Sequence, residues 1–289
     1  MFMGIFHRRK SIKLEDRDLS HSNHALYEDE YKRQIIEYKK QNYEKVFIKN
    51  KKISLCGSYI NINSNKTIIM VHGFQIDAIY NFALSYSKFL AQGYNVLLID
   101  QRANGNSGGH FSTLGKKESL DLLEWVSYES SKENIKDIVL YGISMGSSTI
   151  GYVADKLNDT KVGSLIMEAG FPSFYDLLDE TIKRSFFNGM MKRCVRMYAK
   201  FFLRVDIKDT FKNSLANTSL PIMFLHGNLD KEVPIKFSYE AYDICSSKNK
   251  KLMVVNGAKH TNCFIIGGQT LQNEIFNFIN SHLKEKKNE

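Results

Sequence analysis

The stretch Asp137-Ile138-Val139-Leu140-Tyr141-Gly142-Ile143-Ser144-Met145-Gly146-Ser147-Ser148-Thr149-Ile150-Gly151 decides the fold. Residues 137–141 are a strand-length apolar run, and helical spacing takes over from 147 to 157. Between them lies G-x-S-x-G, spelled Gly142-Ile143-Ser144-Met145-Gly146. A serine carried from strand to helix in so few residues needs a sharp, strained turn, which presents its hydroxyl at the sheet edge. The flanking glycines have a steric reason, because strand and helix approach too closely there for side chains. The N-terminus of the following helix adds backbone N–H groups and a positive dipole end where an oxyanion would form. Ser144 is therefore the candidate nucleophile.

The pattern recurs as Gly105-Asn106-Ser107-Gly108-Gly109, but in a loop after Asp100-Gln101-Arg102 with no comparable helix behind it. Outward from Ser144, strand-length apolar runs fall at 67–71, 95–100, 164–167, 222–225 and 251–255. Helical spacing occupies 78–91, 117–129 and 235–245, and two β-rich runs, 44–49 and 53–60, come first. Continuous apolar runs imply strands buried on both faces, hence an α/β fold with a mostly parallel sheet and helices on both sides. Ligands of such a sheet gather beyond the carboxyl ends of its strands. About fifty residues separate Glu168 from Pro221, far more than a crossover needs. Residues 173–219 are accordingly expected to form a small helical cap over that edge. The domain expected is 43–289, preceded by a polar, peripheral arm over 1–42 that is partly helical near 27–40.

A serine hydroxyl needs a base, and the base needs an orienting acid. In a fold with this kind of elbow the chain order is Ser, then Asp or Glu, then His. Asp230 stands in the turn His226-Gly227-Asn228-Leu229-Asp230-Lys231-Glu232-Val233-Pro234, and His260 closes Asn256-Gly257-Ala258-Lys259-His260. Each follows a predicted strand. Glu168, at the end of its own strand, competes for the acid, and Glu232 competes more weakly. His72 and His226 precede glycines at strand ends, where an imidazole serves packing or a backbone contact, while His21 and His24 fall in the polar arm. Asp100 and Arg102 read as a structural ion pair or loop anchors. Cys263 reads as a buried, inert thiol.

Taken in order, these residues make the chain resemble the α/β-hydrolases, and among them the serine aminopeptidase-like and Bem46-like hydrolases. The resemblance spans roughly 43–283. It rests on His72-Gly73-Phe74, on Asp100-Gln101-Arg102 with Gly105 and Ser107-Gly108-Gly109, on the elbow around Ser144, on His226-Gly227 with Asp230 and Val233-Pro234, and on Gly257-Ala258-Lys259-His260. It implies the α/β-hydrolase fold, with an eight-stranded sheet. It also implies Ser144 as nucleophile, Asp230 as acid and His260 as base, with an oxyanion hole made by the backbone N–H groups of Met145 and Phe74. The expected function is a serine hydrolase that cleaves carboxylic esters or thioesters through an acyl-enzyme. A serine peptidase is the alternative, and a hydrolase-like binding protein without catalysis is the rival from another class. One departure bears on loop conformation: Ala103 follows Arg102 where relatives commonly carry glycine.

The 289 residues carry 40 Lys and Arg against 31 Asp and Glu, a formal +9. That excess raises nucleic acid, anionic membrane or acidic substrate as partners. Residues 181–212 hold nine basic side chains and two acidic ones, which places +7 in the expected cap. There Phe187, Met190 or Met191, Cys194, Met197 or Tyr198, and Phe201 recur at helical spacing, with Arg193, Arg196, Lys200 and Arg204 elsewhere around the helix. Three readings follow. The stripe packs on the core beneath a solvated basic face; or Phe187, Met191 and Phe201 line an acyl pocket whose basic rim attracts an anionic substrate; or the cap adsorbs to anionic lipid. No recognition motif accompanies the charge, so nucleic acid is not expected. Without a P-loop, G-x-G-x-x-G or C-x-x-C, neither a cofactor nor a metal is expected. Four scattered cysteines, and no run near the roughly 18 apolar residues that span a bilayer, make the cytoplasm the expected location.

Overall fold

Each central strand carries a continuous apolar run because successive side chains enter different layers. In β3 (Lys66–Val71), Ile68 and Met70 join one core while Ile69 and Val71 join the other. In β4 (Asn95–Asp100), Val96 and Leu98 separate from Leu97 and Ile99 in the same way. A period of two with both faces covered is what a parallel sheet between helical layers requires. The computed structural model describes residues 2–8, 25–182 and 186–283. Its other strands are β1 (Glu44–Asn50), β2 (Ile53–Ile60), β5 (Asp137–Ile143), β6 (Val162–Glu168), β7 (Ile222–Gly227) and β8 (Lys250–Val255). They form one eight-stranded sheet in the order β1-β2-β4-β3-β5-β6-β7-β8. Only β2 runs against the rest, pairing antiparallel with β1 and β4.

Helices Glu28–Lys40, Ala78–Phe82, Tyr86–Ala91 and Gly268–Ser281 fill one layer, and Glu118–Ser130, Met145–Gly151 and Lys236–Ile244 the other. The helix expected over 78–91 is two helices separated at residues 83–85. The one expected over 147–157 starts at Met145 and ends as the 3-10 turn Ala154–Leu157. Gly268–Ser281, which the apolar spacing did not single out, supplies Leu271, Ile275 and Ile279 to the first layer.

Between β6 and β7 the chain leaves the sheet through the helices Phe174–Thr181 and Phe186–Tyr198. The second runs on as a π-helical turn, Ala199–Leu203, ended by Arg204 in the left-handed conformation (φ +54°). Phe211 and Leu215 then rejoin the second layer. Beneath this insertion a third cluster gathers Leu114, Met145, Phe171, Val195, Leu203 and Val233 at the carboxyl edge of the sheet.

The N-terminal arm differs from the expectation. Residues 9–24, with His21 and His24, lie outside the described residues, as do Lys183 and Arg184. Where it is described, the arm is not peripheral. Phe6 is fully buried in the third cluster, against Phe174 and Tyr198. Ser112 N–H donates to Phe6 O, and the Arg8 guanidinium donates to the carbonyls of Gly105 and Ser107. The helix Glu28–Lys40 buries Tyr31, Ile35 and Tyr38. Few apolar residues suffice to dock a helix when they sit at i, i+4 and i+7.

Candidate active site

Ser144 ends the β5 turn with φ +55° and ψ −117°, a region that L-residues rarely occupy. The surrounding glycines make that turn possible. A Cβ on Gly142 would stand 2.5 Å from Gly146, and one on Gly146 only 1.8 Å from Val71 O. The Ser144 N–H donates to Glu168 O at 2.8 Å, which ties the turn to the end of β6. Among the described residues, six of the nine non-glycine residues with positive φ (Gln75, Ala103, Leu114, Ser144, Ala169 and Thr261) lie in loops of this one edge. Ala103 is where relatives were expected to carry glycine, and it adopts a glycine-like φ of +59°.

Ser144, His260 and Asp230 stand in one hydrogen-bonded line. Ser144 Oγ lies 2.9 Å from His260 Nε2, and His260 Nδ1 lies 2.7 Å from Asp230 Oδ2. Burial alone would raise the pKa of Asp230, but hydrogen bonds from His226 and His260, with the backbone N–H of Val233, hold it well below the usual carboxylate range. Ionised Asp230 keeps the His260 proton on Nδ1, so Nε2 is left to accept from the serine hydroxyl. Burial lowers the pKa of His260, and the hydrogen bond and charge of Asp230 outweigh it, so the group titrates above its ordinary 6.5. Behind this line stands His226, whose Nε2 is 3.0 Å from Val233 O and 3.3 Å from Asp230 Oδ2, while Nδ1 meets Ser238 Oγ at 2.7 Å. It makes the backbone contact expected of it and also braces the carboxylate, which its place before a glycine did not foretell.

Met145 opens the elbow helix, and the first N–H groups of a helix have no intrahelical acceptor. Phe74 follows Gly73, whose Cβ position would lie 3.5 Å from Ser144 Cβ, so this segment passes directly over the serine. Two side chains hold it there. Gly73 N–H donates to Asn81 Oδ1 at 2.6 Å, and buried His72 accepts the Gln101 N–H on Nε2 at 2.9 Å while Nδ1 meets Gly73 O at 2.6 Å. Burial lowers the His72 pKa, in keeping with a neutral ring that accepts on one nitrogen. On the other side, buried Glu118 accepts from the N–H groups of Thr113 and Gly115 and from the hydroxyls of Ser112 and Thr113, which fixes Leu114 against the site. Asn81 and Glu118 were not foreseen. An isolated polar residue inside an apolar helical run was the available signal for Asn81.

A cavity of about 400 Å³ opens on Ser144 and His260, walled by Phe74, Leu114, Phe171, Phe174, Leu177 and Val233. The insertion contributes through its first helix. Phe187, Met191 and Phe201, expected as the lining, do not reach it; Phe187 and Phe201 face solvent and Met191 is half-buried. Val195, Ala199 and Leu203 occupy the inward face of that helix instead. The expected basic rim is missing too, for among the described residues Glu232 is the charged side chain at the mouth and no Lys or Arg lines it.

The competitors have other duties. Ser107 is buried, with its hydroxyl against Asp100 O and the Cys56 N–H. Glu168, buried and with its pKa raised by desolvation, accepts from Tyr141 Oη at 2.6 Å and the Cys263 N–H at 3.0 Å rather than from His260. Burial and the Glu168 charge push the Cys263 thiol well up, leaving it unreactive. Arg102 is not paired with Asp100: it forms a buried bidentate bridge to Asp121, at 2.6 Å through both Nε and Nη2. Asp100 instead accepts the N–H groups of Ala78 and Asn106. Among the described residues no group of three or more His, Cys, Asp or Glu could hold a metal ion.

The family model described as alpha/beta hydrolase fold matches residues 66–193. The esterase Pf2001 of Pyrococcus furiosus superposes with a TM-score of 0.69 at 22% identity, over 86% of this chain and 95% of that one. The uncharacterized protein YqkD of Bacillus subtilis is 24% identical over 221 residues, which cover 74% of this chain and 71% of its own. The lysophosphatidylserine lipase ABHD12 of Danio rerio is 26% identical over 181 residues, covering 60% of this chain and 44% of the lipase.

Proposed function

From a chain with the α/β-hydrolase fold, we propose a serine hydrolase that cleaves carboxylic esters or thioesters through an acyl-enzyme on Ser144. The observation that carries the reading is the Ser144–His260–Asp230 hydrogen-bonded line opening on an apolar cavity. His260 Nε2 takes the hydroxyl proton as Ser144 Oγ adds to the acyl carbon. The N–H groups of Met145 and Phe74 receive the oxyanion, each such donor being worth about 2.7–4 kcal/mol in the transition state. His260 then returns the proton to the departing alcohol or thiol, and a water activated by the same nitrogen releases the acid and restores Ser144.

The insertion between β6 and β7 acts as a cap, since Phe174 and Leu177 wall the cavity. The cavity, at the low end of small-molecule pockets in size, fits a compact acyl group, and Glu232 at its mouth, with no Lys or Arg among the described residues of the lining, disfavours an anionic one. The similarity to an esterase and to a lipase lends support to ester chemistry. Among the described residues no helix is long and apolar enough to cross a membrane. The four unpaired cysteines support a cytoplasmic location as part of the same proposal.

The test is labelling by a fluorophosphonate probe, with turnover on a panel of short-chain esters and thioesters. Both are expected for the wild type and neither for Ser144→Ala; labelling that survives in that variant refutes the assignment. One observation favours a second reading. The Glu232 carboxylate at the mouth suits the free amine of a peptide, so a serine aminopeptidase would cleave aminoacyl anilides and lose that activity in Glu232→Gln while keeping its ester turnover.

A further inference from the structure

The outer face of the insertion carries a surface that the cavity does not use. On Phe186–Tyr198 and its π-helical continuation, Val195, Ala199 and Leu203 turn inward. A second row, Phe187, Met190, Cys194, Met197 and Phe201, follows the same spacing and faces solvent. At 3.6 residues per turn these five fall within about 80° of one another around the helix. The π-helical turn holds more residues than an α-turn and leaves both Phe201 and Phe202 outward. Phe187, Phe201 and Phe202 are 73%, 72% and 75% exposed. Single exposed apolar side chains are ordinary, whereas a contiguous row marks contact with another apolar phase.

The basic residues say which phase. Lys192 pairs with Asp179, Arg196 with Asp206 and Lys212 with Glu240, and Lys208 lies over the Tyr175 ring. Arg193, Lys200 and Arg204 are exposed and, among the described residues, form no ion pair. Arg193 and Lys200 flank the apolar row along one edge, and residues 186–205 contain no Asp or Glu. A second copy of the same face would set these cations against one another, which disfavours self-association. A sheet of anionic headgroups over acyl chains complements both the charge and the apolar row.

We propose that this face docks on the surface of an anionic phospholipid bilayer. The aromatic and methionine side chains enter the boundary between headgroups and acyl chains, while Arg193, Lys200 and Arg204 meet lipid phosphates. The Lys192–Asp179 pair ties the docking helix to Phe174–Thr181, which walls the cavity, so the contact lies one helix away from the wall over Ser144. Docking is independent of the chemistry proposed for that serine.

The experiment is co-sedimentation of the full chain with phosphatidylcholine vesicles, with and without phosphatidylglycerol, at low and high salt. Binding is expected to be at least tenfold stronger to the anionic vesicles and to weaken with salt. Phe187→Ser with Phe201→Ser is expected to lower it tenfold or more. Arg193→Glu with Lys200→Glu is expected to remove the anionic preference, by about fivefold or more for each charge. Ser144→Ala is expected to bind like the wild type, which separates this result from the catalytic reading. All four substitutions in the docking face are at exposed positions, and thermal melts check that the fold survives; if the serine pair unfolds the protein, the charge pair decides. Equal binding to neutral and anionic vesicles, or wild-type binding by the charge pair, overturns the proposal. A dimer in analytical ultracentrifugation that the serine pair dissociates, with no vesicle binding, assigns the row to a second copy and overturns it as well.

Discussion

Gly146 and Gly189 are the same residue in opposite circumstances. A Cβ at the first would collide with Val71 O at 1.8 Å, whereas a Cβ at the second would meet nothing within 4 Å. The carboxyl edge of the sheet and the outer helix of the insertion differ in that manner throughout. At the edge, backbone geometry dictates the residue: strand, turn and helix are so close that glycine, a strained serine and buried polar clamps are what fits. On the insertion, side chains are chosen by whatever the face meets, and the backbone tolerates many alternatives.

Substitutions can break or sharpen that contrast, and the largest effect belongs to the edge. Asp230→Asn is expected to lower kcat by about 10⁴-fold, because the amide no longer holds the His260 proton on Nδ1. The pH profile gives a second readout. His260 titrates above 6.5 because of Asp230, so the ascending limb should lie above pH 6.5 in the wild type and move to lower pH in the variant. The stability signs are opposite. The contribution of His260 is complete below pH 6.5 and is lost as pH rises through its raised value; that of Asp230 is lost as pH falls below the ordinary carboxylate range.

Next comes Gly146→Ala, expected to cost more than about 4 kcal/mol in urea unfolding, because backbone rather than a movable side chain blocks the new atom. Arg102→Ala leaves Asp121 charged and buried, and should cost about 3–5 kcal/mol in the same measurement. The smallest effect carries the opposite sign: Gly189→Ala, in an exposed helical position, should stabilise by about 0.5–1 kcal/mol and raise the melting temperature. A destabilising Gly189→Ala would mean that the insertion is as tightly specified as the elbow.

The same contrast explains what could be read from the chain. The sheet, the elbow and the order Ser144, Asp230, His260 were legible because each rests on a local demand: both faces buried, a turn too tight for a Cβ, a side chain just beyond a strand end. The lining of the cavity was not legible. Phe186–Tyr198 and its π-helical continuation carry two apolar rows at helical spacing, and spacing alone cannot say which turns inward; the smaller row, Val195, Ala199 and Leu203, does so. His226 looked like a packing residue because its contact with Asp230 depends on how the turn folds back. Glu118 opens a helix, where a carboxylate is ordinary, and only the loop curling over it turned it into a clamp.

Phe6 has a consequence of another kind. It packs into a core cluster whose other parts include Leu114, Phe171 and Phe174, and its neighbour His7 reaches Tyr198, 191 positions further along. On a ribosome adding roughly 5–20 residues per second, the segment around Phe6 therefore waits about 10–40 s for the surface it must enter to be made. Until then its phenylalanine is an exposed apolar group on a growing chain. A segment made 191 positions ahead of its partner is thus among the later ones to find its place.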